Sequence, residues 1–445
     1  MLKKLLVVLM FICLVSFSAF ARGEHEGTTS DDQSGRQESV TITVQMFSGP
    51  EYDAMVPTVD YWNENYAEST GIKVNCVALS RVGYFEKMQS QLIAGLDVPD
   101  VVHPFDMPLP KMKPYLEDMK PYLEDKEITT GPEGVTYSMD DMLEIALQTV
   151  TFDDGSIVAL PKDMSEQIFY YRRDLIQNPP ETWPEFLEVA KKFTQSHNPS
   201  SPTKYGCAMY GKYEKWTFYS ALMMLWPAGY NMFKPGTLEI DNYNPDAVKA
   251  LKIYEELFNN SVMYPGFENF EYPEVSAALQ SGEVAMAIHW NADITDLTNP
   301  EKAPKVWNKI GYTVPPGWKQ SDGSIERAMS FLTINLALNK NSKHKDESMK
   351  FLAWAVFGEG AKIYAESGGT SPIQQVWFAD DAPDPYPFLA PAMTKYGRCL
   401  PQHKNLAELV MIGSSWIQKV GIGEATAEEA AEGMVDEMKA FLANK

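Results

Sequence analysis

The stretch GSIVALPKDMSEQIFYYRRDLIQNPPETWPE, residues 155–185, decides the fold of this chain. It follows a turn at Asp154-Gly155, which predicts a β-hairpin arm that leads into a strand interrupted at Leu160-Pro161. Further along, Thr182 and Glu185 have the T-x-x-E spacing of a capping box, in which each side chain satisfies a free backbone N–H group of the helix end. The stretch therefore predicts a long strand followed by a capped helix.

Strands and helices also alternate before this stretch. Strict period-two alternation predicts a strand over residues 40–44, and further strands are predicted over 72–77 and 100–103. Apolar residues at helical spacing predict helices over 55–68 and 84–94. This order is typical of a parallel sheet covered by helices. Because ligands bind beyond the carboxyl ends of such strands, we expect a site at the loops that follow the first and third strands.

A second unit follows the crossing near Pro161. Helices are predicted over residues 185–193, 213–225, 246–259, 345–356 and 425–442. The apolar run 284–288 predicts a strand, and we expect His289-Trp290-Asn291 after it to form a loop. Residues 330–338 predict a second long strand. In the segment 366–372, ESGGTSP, glycines stand at the position where a helix commonly ends in the left-handed conformation.

The order of these segments resembles the family 1 extracellular solute-binding proteins, the sugar-binding subunits of ABC importers. The resemblance rests on residues 155–185, on the run LQSGEVAM at 279–286, and on the segments 330–338 and 366–372. It implies an α/β, two-lobe periplasmic binding protein fold of class II-like type, in which each lobe is a sheet flanked by helices. Three crossing segments would join the lobes and form the hinge that such a protein needs.

The resemblance also implies domain boundaries. The N-terminal lobe would comprise residues 39–163 and 333–371, and the C-terminal lobe would comprise residues 164–332 and 372–445.

The amino terminus predicts export. Lys3 and Lys4 precede an apolar run, and Ala19-Phe20-Ala21 closes it, which is the order of a secretory signal peptide over residues 1–21. We expect cleavage after Ala21 and a periplasmic or extracytoplasmic location; a lipid anchor on Cys13 is the alternative. Residues 22–38 are polar without an apolar period and predict a disordered lead-in.

The charge and the cysteines exclude several classes of ligand. Loss of residues 1–21 removes two lysines and no acid, which takes the formal net charge from −22 to −24, and such an acidic surface argues against nucleic acid. Cys76, Cys207 and Cys399 form no C-x-x-C pair, so zinc is not indicated. Whether a disulfide joins two of them stays open, although packing roles are favoured. Calcium-loop spacing is also absent, and no metal or cofactor is expected.

A sugar site needs flat aromatic rings for the C–H faces and fixed polar groups for the hydroxyls. Carboxylates and amides suit the second task because they form strong hydrogen bonds. The strand ends and the resemblance together nominate Asp106, Ser165, Glu166, Trp216, Trp290, Asn291, Gly369 and Thr370, with Phe47 and Glu51 as further candidates.

Each nomination has a structural alternative. Asp106 could cap a loop, Trp216 could be a core residue, and Gly369 could belong to a plain turn. Glu166 could instead pair with Arg172 or Arg173, and the register around Ser165 and Glu166 leaves both open.

Two classes of function compete. In the first, implied by the resemblance, the chain is a monomer that captures a carbohydrate in the cleft and delivers it to the permease subunits of an ABC importer. In the second it is a secreted hydrolase, for which Asp106 and Glu166 would have to flank a glycosidic bond; no catalytic fingerprint supports this. A ligand sensor for a membrane receptor would use the same cleft. Glycerol phosphate or another polyol derivative is the alternative ligand.

Overall fold

The protein alternates strands with helices through most of its length. The computed structural model describes residues 39–242 and 244–445. The strands are β1 (Val40–Phe47), β2 (Ile72–Leu79), β3 (Val101–Val102), β4 (Leu160–Arg172), β5 (Tyr205–Ala208), β6 (Val284–Trp290), β7 (Ile310–Thr313), β8 (Trp318–Lys319), β9 (Ile325–Glu326), β10 (Met329–Leu338) and β11 (Gly397–Arg398). The helices are α1 (Pro50–Asn65), α2 (Ala67–Thr70), α3 (Tyr84–Ile93), α4 (Leu109–Met112), α5 (Lys120–Leu123), α6 (Lys126–Thr129), α7 (Glu144–Gln148), α8 (Trp183–Lys192), α9 (Lys215–Leu225), α10 (Pro245–Asn259), α11 (Tyr272–Ser281), α12 (Ile294–Leu297), α13 (Lys345–Phe357), α14 (Glu359–Glu366), α15 (Gln374–Trp377), α16 (Tyr386–Tyr396), α17 (Leu406–Gly421) and α18 (Ala427–Ala443).

One sheet runs through the molecule in the order β2-β1-β3-β10-β4-β6-β5, with β11 added to β10 and β7 added to β4. The first three strands are parallel, as the sequence predicts. β10 is antiparallel to both β3 and β4, so the sheet as a whole is mixed. β8 and β9 form a separate two-stranded ribbon.

The two long strands, β4 and β10, lie in the middle of this sheet and connect the strands on one side of it with those on the other. The first part of β4, from Leu160 to Glu166, pairs with β10, and its second part, from Gln167 to Arg172, pairs with β6 and β7. β10 in turn reaches β3 through Ala337 and Leu338. The predicted first and second crossings are therefore confirmed as strands, and the predicted interruption near Pro161 is a shift in register opposite Ile334 and Asn335.

Helices cover the long strands, so their side chains are buried. All ten residues of β10 and residues 160–170 of β4 are buried, with α9 packed against β10 and α13 packed against both long strands. Burial on both faces explains why these segments do not show the alternation of a half-exposed strand. It also means that the polar residues of β4 lie inside the protein.

Two predicted boundaries were wrong. The helix predicted over residues 55–68 begins at Pro50, where a missing N–H group costs nothing in the first helical turn. The loop predicted at His289-Trp290-Asn291 is also wrong for its first two residues. His289 and Trp290 are the last residues of β6 and pair with Ile168 and Gln167 of β4.

The glycine signal at the third crossing is confirmed. Gly368 follows α14 with a φ of 94°, and its N–H group donates to the carbonyl of Ala365. A residue with a side chain is disfavoured at this left-handed position. The chain then turns into the segment that contains Gly369 and Thr370.

The capping box at the start of α8 is confirmed and gives a test of the local prediction. Glu185 N donates to Thr182 Oγ1 at 3.4 Å, and Thr182 N donates to Glu185 Oε2 at 3.2 Å. We expect Thr182→Ala to lower the free energy of unfolding by about 1 kcal/mol, as measured by chemical denaturation. Thr182→Ser, which keeps the acceptor oxygen, serves as the control, and equal stability of all three proteins would contradict the role of the cap.

No helix in residues 39–242 and 244–445 is long and apolar enough to span a membrane. The cysteines of this part, Cys76, Cys207 and Cys399, are free thiols. The predicted signal peptide and lead-in lie outside the described residues.

Candidate functional site

A small cavity lies where the segments after β1, β2 and β3, in the part of the chain before β4, meet residues of β4 and of the part that follows it. Its volume is about 10 Å³, roughly the room that one water molecule requires. We call it the inner cavity; its lining residues are Glu51, Arg81, Phe105, Ser165, Trp216, Tyr272, Trp290, Ala292, Leu332 and Ile334. The structure thus brings four of the nominated residues, Glu51, Ser165, Trp216 and Trp290, to one place.

Aromatic rings form one side of the inner cavity. The rings of Trp216 and Trp290 meet edge to face, with centroids 5.3 Å apart and planes at 80°. Phe105, which follows β3, approaches Trp216 from the other side at 5.3 Å. Tyr219 on α9 lies 6.4 Å from Trp290. Such edge-to-face pairs are favourable in themselves, and here they connect the two parts of the chain across the cavity.

Polar groups form another side. The Arg81 guanidinium lies 3.7 Å from Glu51 Oε2 and over the ring of Tyr272 at 5.7 Å. Within the described residues, Glu51 Oε2 and the Tyr272 hydroxyl are buried without a hydrogen-bond partner. Burial raises the pKa of Tyr272 well above its usual value, so the hydroxyl remains a donor. These groups can bind the hydroxyls of a ligand.

Ser165 and Glu166 are on different sides of β4. Successive residues of a strand point to opposite faces, and of these two Ser165 lines the inner cavity. The backbone N–H group of Glu166 donates to Asn291 Oδ1 at 3.1 Å. Ser165 is therefore the better placed of the two for contact with a ligand.

The Glu166 carboxyl is buried and unpaired. Its side chain is 0% exposed, and within the described residues neither carboxyl oxygen has a hydrogen-bond partner. The alternative pairing with the arginines is not what the structure shows, because Arg172 pairs with Asp174 and Arg173 donates to the carbonyl of Asn308. Burial, together with the charge of Asp163, raises the pKa of Glu166 well above its ordinary value.

Asn291 and Thr370 contact each other rather than the inner cavity. Asn291 Nδ2 donates to Thr370 Oγ1 at 2.9 Å, and the N–H group of Thr370 donates to Asp163 Oδ2 at 2.7 Å. Asp163 also accepts from the hydroxyl of Tyr364 at 2.8 Å. Burial raises the pKa of Asp163 to about 7. These side chains tie the third crossing to β4 and to the end of β6.

Gly369 is required by packing at the same crossing. A Cβ atom there would lie 2.0 Å from the ring of Tyr364, and the Gly369 carbonyl accepts from the hydroxyl of Tyr386 at 2.9 Å. Its backbone carbonyl therefore already has a partner.

Asp106 lies at the carboxyl end of β3 and is 3% exposed. Its N–H group donates to the carbonyl of Thr333 at 3.1 Å, and its Oδ1 atom accepts from the N–H group of Met107 at 2.8 Å. Burial raises the pKa of Asp106 to about 7. Asp106 is not one of the residues that line the inner cavity, but its neighbour in sequence, Phe105, is.

Phe47 lies beneath the site and is fully buried. Its ring contacts His103 and Phe105 at 4.8 and 5.5 Å, and the Arg81 guanidinium stacks on it at 4.7 Å. Phe47 therefore positions Arg81 and Phe105, which do line the cavity.

Sequence reasoning missed Arg81 and Tyr272. Arg81 follows β2, so the strand-end rule that nominated the loops after β1 and β3 would have found it if it had been applied to the second strand as well. Tyr272 is the first residue of α11 and carried no signal, since only the packing of α11 beside β6 brings it to the cavity.

The model of the family "Bacterial extracellular solute-binding protein" matches residues 50–362. The chain belongs to this family. The match confirms the resemblance read from the sequence and covers most of the chain. A solute-binding protein captures its ligand without converting it, so the family supports the binding reading over the hydrolase.

Proteins similar to this solute-binding protein are named for different ligands. The "Probable amino-acid ABC transporter periplasmic-binding protein y4oP" of Sinorhizobium fredii is 23% identical over 321 residues, which cover 69% of this chain and 66% of that protein. The "Mannitol-binding protein" of Pseudomonas aeruginosa is 25% identical over 314 residues, which cover 65% of this chain and 66% of that protein. The matches thus span just under two thirds of each relative.

Solved structures agree on the fold. The maltose-bound MalE3 of T. maritima superposes with a TM-score of 0.76 at 20% identity, covering 91% of this chain and 100% of that one. The two-lobe α/β fold of periplasmic binding proteins is thereby confirmed for this solute-binding protein. The evidence for the class of ligand is therefore the set of residues in the site.

Proposed function

We propose that this solute-binding protein captures a carbohydrate between its two lobes and delivers it to the membrane permease of an ABC importer. It would act as a monomer outside the cytoplasm, after export by a signal peptide cleaved behind Ala21. The lobes would have the boundaries given above, with residues 39–163 and 333–371 in one and residues 164–332 and 372–445 in the other.

The observation that carries this proposal is the composition of the inner cavity. The tryptophan pair Trp216 and Trp290 offers apolar faces, and Glu51, Arg81 and Tyr272 offer polar atoms beside them. A sugar presents the same two kinds of surface, C–H faces and hydroxyls. The groups come from both parts of the chain, so a ligand between them would hold the parts together.

A ligand can enter only if the cavity opens. A volume of about 10 Å³ is far below that of ordinary ligand pockets, so the lobes would have to move apart from this arrangement before a sugar ring could enter. β4, β10 and the segment around Thr370 are the connections at which the lobes would rotate. Binding would then shift the population from open to closed, as in other hinged proteins.

The alternatives differ in what they require of the site. A hydrolase would need Asp106 and a second carboxyl across one bond, but Glu166 does not line the inner cavity. A polyol is favoured by the same hydroxyl-binding groups, and the name of the mannitol-binding relative is consistent with it. A receptor-coupled sensor would use the cleft in the same way and is distinguished by its partner.

A thermal-shift screen tests the proposal. We expect at least one mono-, di- or trisaccharide to raise the melting temperature, because a ligand that binds the folded state stabilises it by mass action. Polyols and glycerol phosphate form the comparison set. Stabilisation by polyols alone, or by amino acids alone, would overturn the carbohydrate proposal, and recovery of a cleaved oligosaccharide would favour the hydrolase.

The Tyr272 hydroxyl allows a test that separates binding from stability. Tyr272→Phe removes a hydroxyl without a protein partner, so we expect an unchanged free energy of unfolding and a loss of ligand affinity of about 1 kcal/mol, measured by calorimetric titration. In the control variant Tyr170→Phe, the lost hydroxyl donates to the carbonyl of Trp290 at 2.8 Å, so stability should fall instead. Full affinity in Tyr272→Phe would remove this residue from the site.

A further inference from the structure

The protein has a second and much larger cavity. Its volume is about 900 Å³, which is within the usual range for ligand pockets. We call it the outer cavity; its lining residues are Gln148, Thr149, Thr151, Asp153, Trp226, Asn231, Met232, Phe233, Lys234, Pro235, Gly236, Thr237, Leu238, Arg398, Cys399, Leu400, Pro401 and Gln402. Both parts of the chain contribute to it.

The outer cavity is adjacent to the proposed sugar site. Thr149, which lines it, shares a hydrogen bond of 2.6 Å with the hydroxyl of Thr333, and the Thr333 carbonyl accepts from the N–H group of Asp106. Burial and the charge of Asp106 raise the pKa of Cys399, another lining residue, to about 12. Asp106 therefore connects the wall of the outer cavity to Phe105, its neighbour in sequence, which lines the inner cavity.

Arg398 in the outer cavity has hydrogen-bond donors that no described residue uses. Its guanidinium stacks over the ring of Trp226, with Cζ 5.1 Å from the centroid, and its Nη2 atom donates to Asn231 Oδ1. β11 holds the residue in place, because Arg398 pairs with Ser330 of β10. The side chain is thus fixed from two directions, and most of its N–H donors remain unused by the described residues.

The other arginines of the described part already have partners. Arg81, Arg172 and Arg327 each lie within ion-pair distance of a carboxylate, and Arg173 donates to a backbone carbonyl. Within the same residues Arg398 has no carboxylate at ion-pair distance. Arg173 also lacks a carboxylate at this distance, but its side chain is exposed, whereas that of Arg398 is half-buried.

The other charges around Arg398 do not neutralise it. Lys234 at the cavity wall pairs with Glu239 at 2.7 Å, and Asp153 belongs to the lining. Glu326 acts on Arg398 only from beyond ion-pair distance. Burial lowers the pKa of Arg398, and Glu326 raises it. The guanidinium is therefore partly desolvated without a close counter-ion, a cost that an anionic ligand would offset.

We infer that the ligand is an acidic carbohydrate, and that Arg398 binds its anionic group in the outer cavity while the sugar ring occupies the inner one. The planar guanidinium fork matches a carboxylate or a phosphate group with two parallel hydrogen bonds. Asn231 and Gln402 stand in the same wall and suit neighbouring hydroxyls. This inference rests on the proposed function, since it names the class of carbohydrate.

Calorimetric titration with matched acidic and neutral sugars tests the inference. The carboxylate arm uses galacturonate, glucuronate and oligogalacturonates, the phosphate arm uses hexose phosphates, and galactose, glucose and their oligosaccharides are the neutral counterparts. We expect one acidic arm to bind about tenfold or more tightly than its neutral counterpart. Arg398→Gln should lower that affinity by a similar factor and leave the weak neutral binding unchanged. Arg173→Gln, a surface arginine, is the control.

The outcomes separate this inference from the proposed function. Tight binding of a neutral sugar that is unaffected by Arg398→Gln would overturn the acidic-ligand inference and leave the carbohydrate proposal standing. If no carbohydrate of either kind binds, the proposed function falls and the inference falls with it. If Arg398→Gln does not fold, the salt dependence of acidic-sugar binding by the unaltered protein decides, because a guanidinium–anion contact weakens as ionic strength rises; binding independent of salt would contradict it.

Discussion

Replacing Trp290 with alanine is expected to weaken ligand binding strongly and to lower the free energy of unfolding by about 3–5 kcal/mol. Trp290 is 5% exposed, and its ring contacts Trp216 and Tyr219. Removal of the indole leaves a void in a wall that two other aromatic rings share. It also removes the flat surface against which a sugar ring would pack, so the loss of affinity should reach the level of a binding hot spot, about 2 kcal/mol or more.

Chemical denaturation and calorimetric titration measure the two effects separately. Trp290→Phe keeps a ring and should lose less of both quantities. The matched control is Trp307→Ala, because Trp307 is 42% exposed and its loss should change stability by no more than about 0.5 kcal/mol. Full ligand affinity in a folded Trp290→Ala protein would exclude the tryptophan pair from the binding site.

Replacing Glu166 with glutamine is expected to remove a pH-dependent loss of stability. Burial raises the pKa of Glu166 in the folded protein above its ordinary value, so the folded state binds a proton that the unfolded state has released. Stability then falls as pH rises from the unfolded pKa, near 4.5, through the raised folded pKa. Glutamine carries no charge at any pH and should hold its stability over this range.

The difference between the two proteins isolates Glu166 from its titrating neighbours. Burial raises the pKa of Asp163 and lowers the pKa of Lys162, in both cases to about 7. Both groups therefore contribute to the pH dependence of stability in the two proteins. We expect the free energy of unfolding of Glu166→Gln at pH 8, measured by chemical denaturation, to exceed that of the unaltered protein by about 1 kcal/mol or more. The exposed Glu432 on α18 provides the control substitution. Parallel stability profiles of Glu166→Gln and the unaltered protein would show that the Glu166 carboxyl is paired or hydrated.

Local rules predicted the elements that depend on near neighbours. The capping box at Thr182 and Glu185 and the glycine after α14 are fixed by backbone chemistry within a few residues, so both were found from the sequence. The long strand β4 was found because its flanks carry turn and cap signals. The parallel pairing of the first strands followed from the order of strands and helices.

Long-range pairing decided what the sequence left open. The period-two geometry of a strand predicts that Ser165 and Glu166 face opposite sides of β4. Which of the two sides faces the cavity depends on the register of β4 with β10 and β6. The arrival of Tyr272 beside Arg81 depends on how α11 packs. The unpaired state of Arg398 was equally invisible, because it results from the absence of acids that are distant in the chain.

Small-angle X-ray scattering of the mature protein, with and without a carbohydrate that calorimetry has shown to saturate it, tests the central claim most directly. If two lobes close around the inner cavity, the radius of gyration should fall when the ligand is added. Identical scattering curves at full occupancy would contradict closure around that cavity.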